Sequence, residues 1–159
     1  MKKSLFLILL LLVPALAFMS CDDDKDLPNV NFTVAFENPV VDNTVYVVAG
    51  DTVKLTSVTV QNVETNKAAA VTGVNYYLDG YYLGASIFAP YPISIPVSES
   101  AEPGEHFLEL EAGVVAVDKS PAFAVLGYDI EVVSSADDIP SEATAKVLTG
   151  NAKTFDHKK

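Results

Sequence analysis

The Asp79-Gly80 dipeptide inside "VNYYLDGYYLG" (Val74 to Gly84) constrains this chain more than any other feature. A two-residue hairpin turn of type I′ needs positive φ at both central positions, and Asp-Gly meets that demand at little steric cost. Before the turn, Val74, Tyr76 and Leu78 alternate with Asn75 and Tyr77. Side chains alternate between the faces of a strand, so Tyr76 is expected to point inward and Tyr77 outward, and one of Tyr81 and Tyr82 is expected to face solvent.

The same two-residue period recurs along the chain. "VNFTVAFE" (Val30 to Glu37) alternates, and "PVVDN" breaks it with Pro39 and Asn43. "TVYVVAGDTVKLTSVTVQN" predicts two strands around an Ala49-Gly50-Asp51 turn. In the second, Val53 and Leu55 are out of phase with Val58 and Val60, which predicts a β-bulge near Thr56 or Ser57. Pro90, Pro92 and Pro96 confine "PYPISIPVSES" to a sheet edge, because proline donates no ladder hydrogen bond. After a Pro103-Gly104 turn, His106, Leu108, Leu110 and Ala112 share one face and Phe107, Glu109 and Glu111 the other; "AFAVLGYDIEVV" is the last predicted strand. Seven or eight short strands with turn signals between them predict an all-β, antiparallel sandwich. From Ser134 the composition turns polar and small, and residues 134–159 are expected to form a mostly disordered tail.

The order "VNYYLDGYYLG", "APYPISIPV", "PGEHFLELEA" resembles bacterial immunoglobulin-like domains over about residues 72 to 132. The resemblance implies an immunoglobulin-like β-sandwich, here about residues 30–133. It implies no activity, since one fold carries many functions.

The N-terminus carries an address. Met1-Lys2-Lys3 precedes an uncharged run from Leu5 to Met19, a basic segment followed by an apolar one, as in an export signal. The run is shorter than the roughly 20 residues that a bilayer-crossing helix needs. Cys21, the single cysteine, follows Ser20 at the end of this run and has no partner for a disulfide. A small residue directly before a cysteine resembles the lipobox of bacterial lipoproteins, although Phe18 stands where an aliphatic residue is usual. The resemblance implies removal of residues 1–20, acylation of Cys21, and a membrane contact made by lipid. Asp22, Asp23, Asp24, Lys25 and Asp26 come next, within an expected tether of residues 21–29. An acidic run behind the acylated cysteine resembles the surface-export signal of lipoproteins in the Bacteroidota, which implies the outer face of the outer membrane; a periplasm-facing location is the alternative. Asp51-Thr52-Val53 resembles the tripeptide that the same phylum uses for O-glycosylation, making Thr52 a candidate acceptor.

Charge excludes one class of partner. The formal net charge is −11 and there is no arginine. Loss of Lys2 and Lys3 with the leader makes it −13. Such a chain is repelled by phosphate backbones, so nucleic acid is not an expected partner.

The inventory for catalysis is thin. His106 matches a position beside a turn in the resembled domains, where it caps or packs, and His157 stands near the C-terminus. Neither has a second ligand at metal-binding spacing, and no metal or other cofactor is expected. Glu109 and Glu111 are paired carboxylates of the kind that can flank a glycosidic bond, but two apart on an outward face they suit a solvated surface. Tyr76, Tyr77, Tyr81, Tyr82, Phe88 and Tyr91 lie within sixteen residues. Tyr77, Tyr81 and Tyr82 are the candidate ligand-binding residues, against the alternative that they only cover the sheet. The expected function is a non-catalytic, membrane-anchored surface module that binds a glycan, a host molecule or a neighbouring outer-membrane protein. The alternative is a structural spacer or accessory subunit of an uptake or pilus assembly, and a hydrolase is the distant third.

Overall fold

The computed structural model describes residues 26–64 and 67–156. Within them the chain forms ten strands: β1 (Val30–Val41), β2 (Thr44–Val48), β3 (Thr52–Asn62), β4 (Ala69–Leu78), β5 (Tyr81–Ser86), β6 (Ile93–Pro96), β7 (Gly104–Ala116), β8 (Ala122–Val133), β9 (Ala145–Ala152) and β10 (Thr154–Phe155). One 3₁₀ turn, Ala136–Asp138, follows β8. No described helix is long and apolar enough to cross a membrane.

The ladder runs β5-β4-β7-β8-β2-β1-β3-β6, with β9 paired to β1 and β10 to β8. It folds over at the β1–β2 hairpin, where Val40 pairs with Val45 and Val41 with Thr44. The result is a β-sandwich with β5-β4-β7-β8-β2 as one layer and β9-β1-β3-β6 as the other. Alternation builds the core. Val30, Phe32, Val34 and Phe36 of β1 face Val74 and Tyr76 of β4, Leu108 and Leu110 of β7, and Leu126, Tyr128 and Ile130 of β8, all in one buried cluster. Phe36 meets Tyr128 edge to face across the layers, ring centroids 5.6 Å apart. Burial pushes the Tyr128 hydroxyl up to about 12.

Three local expectations hold. Asp79 and Gly80 both have positive φ, 50° and 80°, as a type I′ turn requires. The β1–β3 register passes from Ala35↔Ser57 to Phe36↔Leu55, leaving Thr56 as the extra residue of a bulge that brings Val53, Leu55 and Val58 to the core. The proline-bearing β6 pairs only with β3, at the layer's edge.

Two expectations need correction. The sandwich is not purely antiparallel, because β2 runs parallel to β8 from Thr44↔Asp129 to Val48↔Val133. Nor is the C-terminal segment a disordered tail that starts at 134. β9 pairs antiparallel with β1 from Val30↔Ala152 to Ala35↔Val147, and β10 pairs with Phe123 and Ala124 of β8. The physical reason is an open edge. Without β9 the outer side of β1 would expose a row of unpaired backbone groups. Ala152 and Thr154 are buried there, and the Thr154 hydroxyl donates to the Pro28 carbonyl at 2.6 Å. The fold therefore reaches Phe155. It also reaches back to Asp26, so residues 26–29 are fastened to the sandwich.

Candidate functional site

The outward residues of β4, β5, β7 and β8 form one continuous face. Tyr77 lies opposite Tyr82 across β4–β5, opposite Glu109 across β4–β7, and Glu109 lies opposite Gly127 of β8. The Tyr77 and Tyr82 rings are tilted 57° to each other with centroids 5.4 Å apart. Tyr82 is 59% exposed on β5, an edge strand. The Tyr77 hydroxyl is pushed up by desolvation first, then by the charges of Glu111, Tyr82 and Glu109.

Phe107 completes the face. It is 45% exposed, and its ring lies over Gly127, where an added Cβ would come within 2.3 Å of Phe107 Cζ. Gly127 is thus a mid-strand glycine that admits a close approach. That is the signal by which the sequence marks it, and Phe107 was legible only as an outward residue.

The six-residue aromatic cluster divides by role. Tyr77 and Tyr82 come together, whereas Tyr81, paired with Leu78, projects to the opposite side of β5 and is 78% exposed. Both hairpin tyrosines therefore face solvent, one more than alternation alone implies, since Tyr81 stands at the strand end beyond the core. Tyr76 and Tyr91 hold structure. The Tyr76 hydroxyl donates to the Tyr91 carbonyl, and the Tyr91 hydroxyl donates to the Val71 carbonyl at 2.5 Å. Burial pushes the Tyr76 hydroxyl well above the ordinary tyrosine range. Together they latch the β5–β6 crossover to β4. Phe88 is exposed on that crossover.

At the hairpin end of the same sheet, beside Tyr77 and Phe107, Asp79 receives two hydrogen bonds. One carboxylate oxygen lies 2.7 Å from His106 Nδ1, and the other accepts from the Phe107 backbone N–H at 2.8 Å. These contacts hold the Asp79 carboxyl below the usual carboxylate range. His106 thus caps the hairpin, as its place beside a turn implies. It also borders an apolar hollow of about 170 Å³ between the layers, lined by Leu78, Ile95, Val97 and Ile130 among others.

At the opposite end lies a charged cluster that sequence reasoning missed. Lys119, its side chain only 10% exposed, reaches Asp26 at 2.9 Å and Glu64 at 2.8 Å; Lys67 reaches Glu64 at 3.1 Å. The Lys119 and Lys67 ammonium groups hold the Glu64 carboxyl below its ordinary value. Glu64 and Asp26 in turn raise Lys119. The partners are distant in sequence, and no local pattern announces the contact.

The other candidate residues fall as follows. Thr52 opens β3 beside the β2–β3 turn, half-buried, with its carbonyl accepting from Asn38 Nδ2 at 3.1 Å. Of the acidic run only Asp26 is described; Cys21, Asp22, Asp23, Asp24 and Lys25 lie outside the described residues, as do the leader and His157. Glu109 and Glu111 stand half-exposed on the open sheet face. Among the described residues, no group of three or more histidine, cysteine, aspartate or glutamate side chains is placed to hold a metal ion.

No protein-family model matches the chain, and no curated protein matches it. Among solved structures, the chain is similar to the fibronectin(III)-like modules of CbhA from Clostridium thermocellum, at 19% identity and a TM-score of 0.39, over 65% of this chain and 98% of that one.

Proposed function

We propose that this chain is a lipid-anchored surface protein whose immunoglobulin-like domain is a non-catalytic binding module, contacting a glycan, a host molecule or a neighbouring outer-membrane protein through the outer face of β5-β4-β7-β8. The observation that carries the reading is the aromatic set on that face, Tyr82 and Phe107 exposed and Tyr77 half-buried against Tyr82. Leaving a large aromatic side chain in water forgoes about 1.5–3 kcal/mol of burial free energy, and contiguous exposed apolar area marks interaction surfaces.

The geometry of the ends favours this over a spacer. The Thr154 hydroxyl bonds the Pro28 carbonyl, so the first and last described segments leave the sandwich together. A domain strung in line between two others needs its ends at opposite poles. With both at one pole, the sandwich projects to one side of the chain that enters and leaves it. Asp26 lies five positions after Cys21, so acylation at Cys21 would hold that pole within about 18 Å of the lipid. Thr52, at the other pole, is then the proposed glycan acceptor.

Two measurements test the reading. Protease added to intact cells should digest the protein if it faces outward; protection until lysis would turn the search to the periplasm. For binding, the full chain and a Tyr77→Ala/Tyr82→Ala variant are compared against a glycan panel and detergent-solubilised outer-membrane proteins. At least a tenfold loss with unchanged melting supports the face, and equal binding by the variant sinks it.

A further inference from the structure

Resting on that reading, we infer that the aromatic face of β5-β4-β7-β8 receives a lysine- or arginine-bearing segment of a partner protein. Charge decides the occupant. The outward positions of β7 and β8 carry Glu105, Glu109, Glu111, Asp129 and Glu131, and the described outward positions of β4, β5, β7 and β8 hold no lysine. A sheet face of one sign repels uronates, sulfated sugars and phosphate, and it steers cations toward itself.

The arrangement of these groups sharpens the argument. Glu105 stands directly opposite Glu131 across β7–β8, a like-charge pair that destabilises a sheet on its own and is relieved by an incoming cation. Glu109 stands directly opposite Tyr77, whose ring is paired with Tyr82. Tilted aromatic rings beside a carboxylate supply the two attractions an ammonium or guanidinium group uses, the negative ring face within about 6 Å and a charge-assisted hydrogen bond. The carboxylate field at this spot is strong enough to help raise the Tyr77 hydroxyl. Phe107, whose ring tip sits over Gly127, offers apolar surface for the methylene stem of such a side chain.

The test uses the full chain in detergent and three fluorescent probes: a twelve-residue Lys/Arg peptide, its Glu-substituted counterpart, and cellohexaose. Anisotropy should show binding of the basic peptide alone, weakened at least tenfold by Glu109→Gln/Glu111→Gln and by Tyr82→Ala. The charge-matched variant Glu99→Gln/Glu102→Gln, in the β6–β7 loop, should change it less than twofold. An equal loss in that control would reduce the effect to overall charge and overturn the inference. Tyrosine-dependent binding of cellohexaose without the basic peptide would overturn it too, while leaving the face as the binding surface. Binding of any probe that ignores both face variants would overturn the inference and the face together.

Discussion

The Asp79 carboxylate stands 2.7 Å from His106 Nδ1 and also accepts the Phe107 backbone N–H, so one side chain of the β4–β5 turn is clamped to the start of β7. The return bond, Asp79 N–H to the Phe107 carbonyl at 2.9 Å, closes the pair. A turn selected by its φ requirement thereby also fixes the register of the neighbouring strand.

The sign of the pH effect follows from the lowered Asp79 carboxyl. Its contribution is present above the unfolded value of about 3.9 and is lost as pH falls through the lower folded value. Asp79→Asn keeps an acceptor and tolerates the positive φ, so it should cost about 0.5–1 kcal/mol at pH 7, a charge-assisted bond discounted for exposure. Urea denaturation at pH 7 and pH 2.5 checks this. The two proteins should converge at the lower pH, and a gap of the same size at both would rule out the carboxylate as its source.

Phe107 and Gly127 should be coupled, with a change of sign. Alone, Gly127→Ala puts a methyl group into the Phe107 ring and destabilises, because the ring must swing off the face. Once Phe107→Ala has removed the ring, the same methyl group no longer meets its three nearest atoms, and alanine should be better than glycine in a strand by about 0.5–1 kcal/mol. A double-mutant cycle in thermal unfolding reads the coupling directly. Additive single effects would mean the ring does not rest on Gly127 in solution.

Such contacts show where the sequence was legible. Asp79-Gly80 was readable because a two-residue turn has a hard φ requirement, and Thr56 because a bulge shifts the phase of Leu55 against Val58. The outward placing of Tyr77 and the capping by His106 followed from period and from position beside a turn. β9 was not readable. In Ala145–Ala152 only Leu148 and Ala152 turn inward, so a strand held by backbone pairing to β1 leaves almost no side-chain period. The Lys119 cluster was hidden for another reason, since Asp26, Glu64 and Lys119 meet only when three separate loops converge.

The pairing of β9 predicts slow amide exchange where a disordered tail would exchange at once. Backbone amides between Val147 and Ala152 that bond to β1 should be protected to a degree comparable with β3 on the strand's other side. Thr154→Val removes the donor to the Pro28 carbonyl inside a buried site and should cost about 1–2 kcal/mol. Exchange of β9 within the dead time of the experiment would refute this pairing.

Lys119 should act as the clasp of the base, because its ammonium group holds Asp26 and Glu64 while the Ser120 N–H donates to the Asp26 carbonyl at 3.0 Å. The two shifts set a window. Glu64, lowered, contributes above its ordinary value near 4.3 and loses that contribution as pH falls; Lys119, raised, contributes below its ordinary value near 10.4 and loses it as pH rises. The clasp is therefore closed across the neutral range and opens at both extremes. In Lys119→Met, the Glu64 carboxyl should titrate closer to its ordinary value in side-chain carboxyl NMR, since only Lys67 then remains beside it. The Ser120 amide should exchange faster as Asp26 comes free of the base. An unchanged Glu64 titration would mean that Lys119 does not hold it in solution, and the fastening of residues 26–29 to the sandwich would have to come from β10 and Pro28 instead.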